Sequence, residues 1–237
     1  MPLFRLTEEH LFPPPYLAEP DGLLALGGDL SPGRILLAYR LGIFPWYSSH
    51  SPILWWSPDP RLVLFPRELK ISRSLRRVLK KRTFQVTFDH DFRAVIEGCA
   101  DVRRKEGEGT WIVPEMIEAY HRLHRLGYAH SVESRLDGEL AGGLYGVALG
   151  GVFYGESMFT RKTDASKAAF AHLVHLLMQW KFAMIDCQVT TSHLRRFGAR
   201  EIPRTEFLVR LASALKAKDY HGSWASVDPP EFLSGPA

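Results

Sequence analysis

The sequence predicts a mixed α/β (α+β) fold, a small irregular N-terminal domain followed by a larger core of helices packed on a sheet. Three observations carry this expectation. HSVESRL, ELAGGLYGVALG and VFYGESMF read as a strand meander, joined by the tight turns Asp137-Gly138 and Leu149-Gly150-Gly151. VPEMIEAYHRLHRLG and ASKAAFAHLVHLLMQWK flank the meander with apolar residues at helical spacing. AMIDCQV then returns as a short apolar strand. Helix and sheet layers are both present, and 237 residues with 46% hydrophobic content suffice for one large core and a small module.

Along the chain, Pro13-Pro14-Pro15 opens a loop, and Gly33 to Leu41 reads as a short helix with Asp29 or Ser31 as N-cap. GIFPWYSSHSPILWWSPDPRLVLFP is too rich in proline for a long helix and reads as short strands. It closes the small domain near Leu62, which gives domains 1–62 and 63–237. ISRSLRRVLKK is a basic helix with Ile71, Leu75, Val78 and Leu79 on one face. FQVTFDH is a strand and FRAVIEGCA a helix. The next helix shows Met116, Ile117, Tyr120, Leu123 and Leu126 on one face, with Pro114 at its start and Gly127 at its end. Asp164 sits near the N-cap of the long helix, and FLVRLASALKA is a late helix.

No apolar run approaches the ~20 residues that cross a bilayer, and MPLFRLTEEHLFPPP lacks the apolar centre of a signal peptide. The expectation is a soluble, cytoplasmic protein. Cys99 and Cys187 are far apart, lack metal-ligand spacing and suit a reducing compartment as small buried residues. The formal net charge of +4 is concentrated between Arg61 and Arg82, where Glu68 alone opposes Arg61, Arg67, Lys70, Arg73, Arg76, Arg77, Lys80, Lys81 and Arg82. That run is either a phosphate-attracting surface or a solvated helix face.

Asp186 and Gln188 stand two apart in the apolar run, so a regular strand points both to one face. They are either a structural pair or part of a reacting centre, because a buried polar group needs a partner in both cases. Glu156 follows Gly155, where backbone can approach a ligand. The aromatics of FPWYSSHSPILWW, with Trp111, are stacking platforms for bases or the packing of a small domain. Glu118, His121 and His124 share a helix, as do His172 and His175, but no second Glu-x-x-His completes a carboxylate-bridged metal pair. Phosphate-loop, dinucleotide-binding and Gly-x-Ser-x-Gly patterns are missing from the sequence.

LLALGGDLSP, AYRLGIFPW, ILWWSPDPR, ISRS, VIEGCA, GTWI, EAYHRLHRLGYAHSVE, GGLYGV, GESMF, ASKAA, IDCQV and GAREIPR occur in that order between about Gly22 and Arg204. With these runs the chain resembles the leucyl/phenylalanyl-tRNA–protein transferases of bacteria. The resemblance implies an acetyltransferase-like (GNAT-type) mixed-sheet domain after the small N-terminal one. It implies transfer of leucine or phenylalanine from aminoacyl-tRNA to acceptor proteins with N-terminal arginine or lysine, which marks them for N-degron degradation. It implies no metal and no organic cofactor. Carried over position by position, Trp46 and Trp111 hold the terminal adenosine with Tyr39 nearby. Leu144, Phe153, Phe170, Leu173, Leu177 and Ile185 line the aminoacyl pocket. Glu156, Asp186 and Gln188 lie at the reacting centre, and Lys80 and Lys81 contact the tRNA. Arg76, Arg77 and Arg82 share that basic stretch. After IDCQV the family usually has an Asn before its His, whereas this chain reads Thr190-Thr191-Ser192-His193. An acyl-CoA N-acetyltransferase is the rival on such a fold, but FTRKTDASK lacks the glycine-rich turn that holds pyrophosphate.

Overall fold

The structure, a computed structural model, describes residues 3–105 and 112–232. Near the N-terminus, β1 (Phe4–Leu6), β2 (Leu23–Gly27), β3 (Phe44–Pro45) and β4 (Leu54–Trp56) form a four-stranded sheet in the order β1-β2-β4-β3. Helix α1 (Pro32–Arg40) connects β2 to β3. Of its two candidate caps, Ser31 serves, its Oγ accepting from the Arg34 amide at 3.4 Å, with Pro32 at the first helical position. Asp29 instead accepts from the Ser31 amide at 2.7 Å and from Arg34 Nε at 3.1 Å.

The larger sheet has seven strands: β5 (Arg61–Leu64), β6 (Gln85–Phe88), β7 (Ala129–Leu136), β8 (Glu139–Leu149), β9 (Val152–Thr160), β10 (Met184–Gln188) and β11 (Arg200–Ile202). Their order is β11-β5-β10-β9-β8-β7-β6, and only the β9–β10 pair is parallel. Asp137 and Gly138 have φ of 52° and 83°, the backbone of a two-residue type I′ hairpin turn.

Helices cover both faces of this sheet. α3 (Phe92–Lys105), α4 (Pro114–Arg125) and the N-terminal sheet pack on one face, where Tyr145, Val147, Tyr154 and Met184 are buried with Tyr39, Val95 and Tyr120. α2 (Arg73–Lys80) and α5 (Ala165–Gln179) pack on the other, burying Leu144, Phe153 and Ile185 against Phe170, Leu173 and Leu79. α6 (Ser192–Arg196) and α7 (Arg204–Ala214) bracket the short edge strand β11.

Two sequence expectations change. Leu126 ends α4 at its C-cap and is 48% exposed, so it does not join the buried face of Met116, Ile117, Tyr120 and Leu123. Asp164 stands at the N-cap of α5 with a φ of 69° but makes no capping bond, its carboxylate pairing with Lys167 at 2.7 Å. Among the described residues, no helix is long and apolar enough to cross a membrane.

Candidate active site

A cavity of about 380 Å³ lies where the parallel strands β9 and β10 part. Their pairing runs Met184 with Val152, Ile185 with Phe153 and Asp186 with Tyr154. Two irregularities follow at that level. On β9, Gly146 pairs with Gly155 and Tyr145 with Ser157, so Glu156 is the extra residue of a bulge. On β10, Val63 pairs with Asp186 and Leu62 with Gln188, so Cys187 is extra, and Gln188 takes a φ of 62°. A bulge re-aims the side chains beside it. Here the two bulges bring Glu156 and Gln188 together on the cavity wall, where Gln188 Nε2 donates to Glu156 Oε1 at 2.7 Å.

This geometry corrects the expectation that Asp186 and Gln188 share a face. Ile185 and Cys187 face the cavity, and Asp186 points to the opposite side of β10. Its Oδ1 accepts from Arg61 Nε at 2.8 Å and its Oδ2 from Arg61 Nη2 at 2.7 Å, with both side chains fully buried. The Arg61 guanidinium lies 4.7 Å from the ring centroids of both Phe44 and Phe207. Asp186 Oδ1 also accepts from the Gln188 amide N–H at 2.9 Å, which pins the backbone at the bulge. Arg61 is therefore not part of a phosphate-attracting surface.

Glu156 is the one acid lining the cavity among the described residues. Its Oε1 lies 2.7 Å from the Tyr39 hydroxyl oxygen and its Oε2 2.8 Å from the Tyr120 hydroxyl oxygen, both at hydrogen-bond length. Burial pushes its carboxyl up to about 7, helped by the nearby Asp186 charge and opposed by hydrogen bonds from Tyr39, Tyr120 and Gln188. Burial likewise raises the Cys187 thiol far above its ordinary range, so it is no thiolate nucleophile.

Five of the six residues expected to form the apolar pocket line the cavity: Leu144, Phe153, Phe170, Leu173 and Ile185. Leu177, one turn further along α5, is buried in the core behind it. Phe44, Pro45 and Trp46 reach the cavity from the N-terminal sheet. Trp46 is 39% exposed, so its ring is open to a ligand, and Trp56 Nε1 donates to its carbonyl at 2.6 Å. Tyr39, expected near the adenosine, has no exposed surface and presents its hydroxyl to Glu156. Trp111 lies outside the described residues. Thr191, in the position where an Asn was expected, lines the cavity and caps α6, its Oγ1 accepting from the Leu194 amide at 3.2 Å.

Arg76, Arg77 and Lys80 on α2, with Lys81 and Arg82 after it, are exposed. Arg82 is paired with Glu231 at 2.6 Å. His124 stacks on Phe92 with centroids 4.4 Å apart, and no group of three or more His, Cys, Asp or Glu among the described residues is arranged to hold a metal ion. Sequence reasoning missed two site residues. Tyr120 read only as part of an apolar helix face, and its hydroxyl was the signal. Arg61, a charge inside the apolar run RLVLF, is the same kind of signal as Asp186 in MIDCQ.

Residues 63–212 match a family described as leucyl/phenylalanyl-tRNA protein transferase, and residues 28–59 match the N-terminal domain of that family. The chain is 69% identical over 224 residues to the leucyl/phenylalanyl-tRNA–protein transferase of Syntrophobacter fumaroxidans, covering 94% of this chain and 96% of that protein. It is 59% identical to the protein of the same name from an Anaeromyxobacter species, covering 94% and 95%. Among solved structures it is similar to a GCN5-related N-acetyltransferase from Kribbella flavida, at a TM-score of 0.36 and 13% identity over 72% of this chain and 60% of that one. That likeness is too loose to bear on chemistry.

Proposed function

The chain belongs to the leucyl/phenylalanyl-tRNA–protein transferase family and is an aminoacyltransferase, and on that premise we propose which residues perform the transfer. The cavity receives the leucine or phenylalanine side chain of an aminoacyl-tRNA. The observation that carries this reading is an apolar cavity of about 380 Å³ whose wall holds the Glu156–Gln188 pair. An apolar pocket rejects polar side chains but separates large apolar ones by only ~1–3 kcal/mol per methylene, so methionine is transferred as a side activity. Trp46, at the cavity and partly exposed, is the shelf for the terminal adenosine, with Trp111 as its expected companion. The exposed cations Arg76, Arg77, Lys80, Lys81 and Arg82 follow the phosphates of the tRNA.

The reaction is aminolysis of an ester. The α-amine of an acceptor protein attacks the aminoacyl carbonyl, and the ribose oxygen leaves. Glu156 Oε1 accepts the bond from Gln188 Nε2, which leaves Gln188 Oε1 to be presented to an incoming amine. Asp186 is a positioning residue: paired with Arg61, it holds the Gln188 backbone N–H. Glu156, when ionised, is the negative group of the cavity wall, which favours an acceptor with N-terminal arginine or lysine. Positioning supplies most of the rate, since holding two reactants in place is worth ~7–11 kcal/mol. No cofactor enters this scheme. Residues 1–62 and 63–237 are its two domains, with the seam at β5, and the first supplies Tyr39 and Trp46 to the site of the second. Modification of Arg- or Lys-starting proteins in the cytoplasm, marking them for N-degron degradation, is the role that fits.

The test is to incubate the protein with labelled phenylalanyl-tRNA and an Arg-starting peptide. Label is expected in the peptide, and more slowly from methionyl-tRNA. Label that stays on the tRNA while the protein accepts acetyl-CoA would instead favour an acyl-CoA transferase.

A further inference from the structure

We infer that Glu156 holds a proton in the free protein, in a closed ring of hydrogen bonds with Tyr39 and Tyr120, and that the ring, once it has lost that proton to solvent, takes its replacement from the acceptor amine. The ground is the number of protons the ring requires. The Tyr39 and Tyr120 hydroxyl oxygens are 2.6 Å apart, Tyr39 is 2.7 Å from Glu156 Oε1, and Tyr120 is 2.8 Å from Oε2. Three oxygen pairs at hydrogen-bond length need three protons, and two hydroxyls supply two. If Glu156 were ionised and both tyrosines donated to it, the shortest pair would set lone pair against lone pair. A proton on Oε2 resolves this. Glu156 then donates to Tyr120, Tyr120 to Tyr39, and Tyr39 back to Oε1, which still accepts from Gln188 Nε2.

The surroundings favour the neutral ring. Tyr39 from α1 and Tyr120 from α4 are fully buried, and both are held well above their ordinary range, first by burial and then by Glu156, so neither is a phenolate. Tyr145 of β8 faces the ring edge-on, its centroid 5.5 Å from that of Tyr120. From β10, Gln188 offers an uncharged donor, and Asp186 contributes a negative charge that Arg61 of β5 neutralises. Burial pushes the Glu156 carboxyl up to about 7, within reach of an α-amine at ~7.7–8.

The protonation state stands on geometry, whereas its use rests on the proposed reaction. An acceptor arrives as an ammonium. When it meets an ionised Glu156 it gives up one proton, the ring closes, and the freed amine attacks the ester carbonyl. As the C–N bond forms and the C–O bond breaks, the leaving ribose oxygen takes the Glu156 proton and the carboxylate takes the second amine proton. The products are an amide and a ribose hydroxyl, and one proton reaches solvent when Glu156 ionises again. Tyr120 touches no reactant in this scheme and is a positioning residue.

The test is an infrared titration of the free protein, recorded as wild type minus Glu156→Gln, then repeated in a Tyr120→Phe background. A protonated carboxyl band is expected that disappears around pH 7. Tyr120→Phe removes the acceptor of the Glu156 proton, so the midpoint should fall, by about tenfold in proton affinity. If both tyrosines donate to a carboxylate, the same substitution removes a stabilising donor and the midpoint rises, which overturns the ring. Should Tyr120→Phe fail to fold, the wild-type titration decides, because a band that emerges only below about pH 5 also overturns it. Absence of label transfer with the ring titration intact would remove the proposed destination of the proton and leave the ring standing.

Discussion

At the scale of single residues, two buried carboxylates on neighbouring strands have opposite fates. Asp186 is neutralised by Arg61 in a two-bond pair with no exposed surface. Removing one partner of such a pair leaves a buried charge and costs about 3–5 kcal/mol. Asp186→Ala should lose that much stability in urea unfolding, and Arg61→Met with Asp186→Leu should recover most of it while leaving transfer impaired. An Asp186→Ala protein as stable as wild type would mean that Arg61 finds another partner. Among the described residues no cation is paired with Glu156, and burial pushes its carboxyl up to about 7. An unfolded carboxyl ionises near 4.5, so between these values the folded state holds a proton that the unfolded state has lost. Stability therefore falls as pH rises from about 4.5 to about 7 and is level above, a loss of about 3 kcal/mol. Glu156→Gln cannot ionise. Its melting temperature should exceed that of wild type at pH 8, and the difference should shrink toward pH 5. An equal difference at both would show that Glu156 ionises normally.

At the scale of elements, α2 presents Arg76, Arg77 and Lys80 to solvent while burying Leu75 and Leu79. Its cations can thus change without touching the core. Replacing these three with alanine should weaken tRNA binding and lower the slope of log affinity against log salt by about 0.7–0.9 for each phosphate that is no longer neutralised. An unchanged slope would move the tRNA to another face. The helix was legible because its apolar spacing and its basic run agree, and α4 and α5 were legible from their apolar spacing. The hairpin of β7 and β8 was announced by Asp137-Gly138. The five-residue α6 and three-residue β11 are too short for periodicity to mark and were not foreseen. The site was legible as a set of residues but not as an arrangement. Alternation assumes a regular strand, and both Glu156 and Gln188 sit at bulges. A bulge depends on which strand lies alongside, which no local pattern records. The packing of β8 on β9 makes this concrete: a Cβ on Gly146 would run into the Tyr154 carbonyl and the Phe153 ring, beside the bulge that turns Glu156 to the cavity.

At the scale of the molecule, the centre is assembled from distant parts of the chain. Tyr39 and Trp46 come from the N-terminal region, Tyr120 from α4, Glu156 from β9 and Gln188 from β10. The family resemblance named most of this set, and the fold explains how residues so far apart in sequence meet. The central claim is that the apolar cavity selects the transferred side chain. The most direct measurement is the ratio of kcat/KM for phenylalanyl-tRNA to that for leucyl-tRNA, in wild type and in Leu173→Ala. Leu173 is buried at the cavity wall, and the ratio is insensitive to how much of the variant is folded. Widening the wall should favour the larger side chain and raise the ratio about tenfold or more. A ratio unchanged from wild type would contradict the account, because the side chain would then be read somewhere other than this cavity.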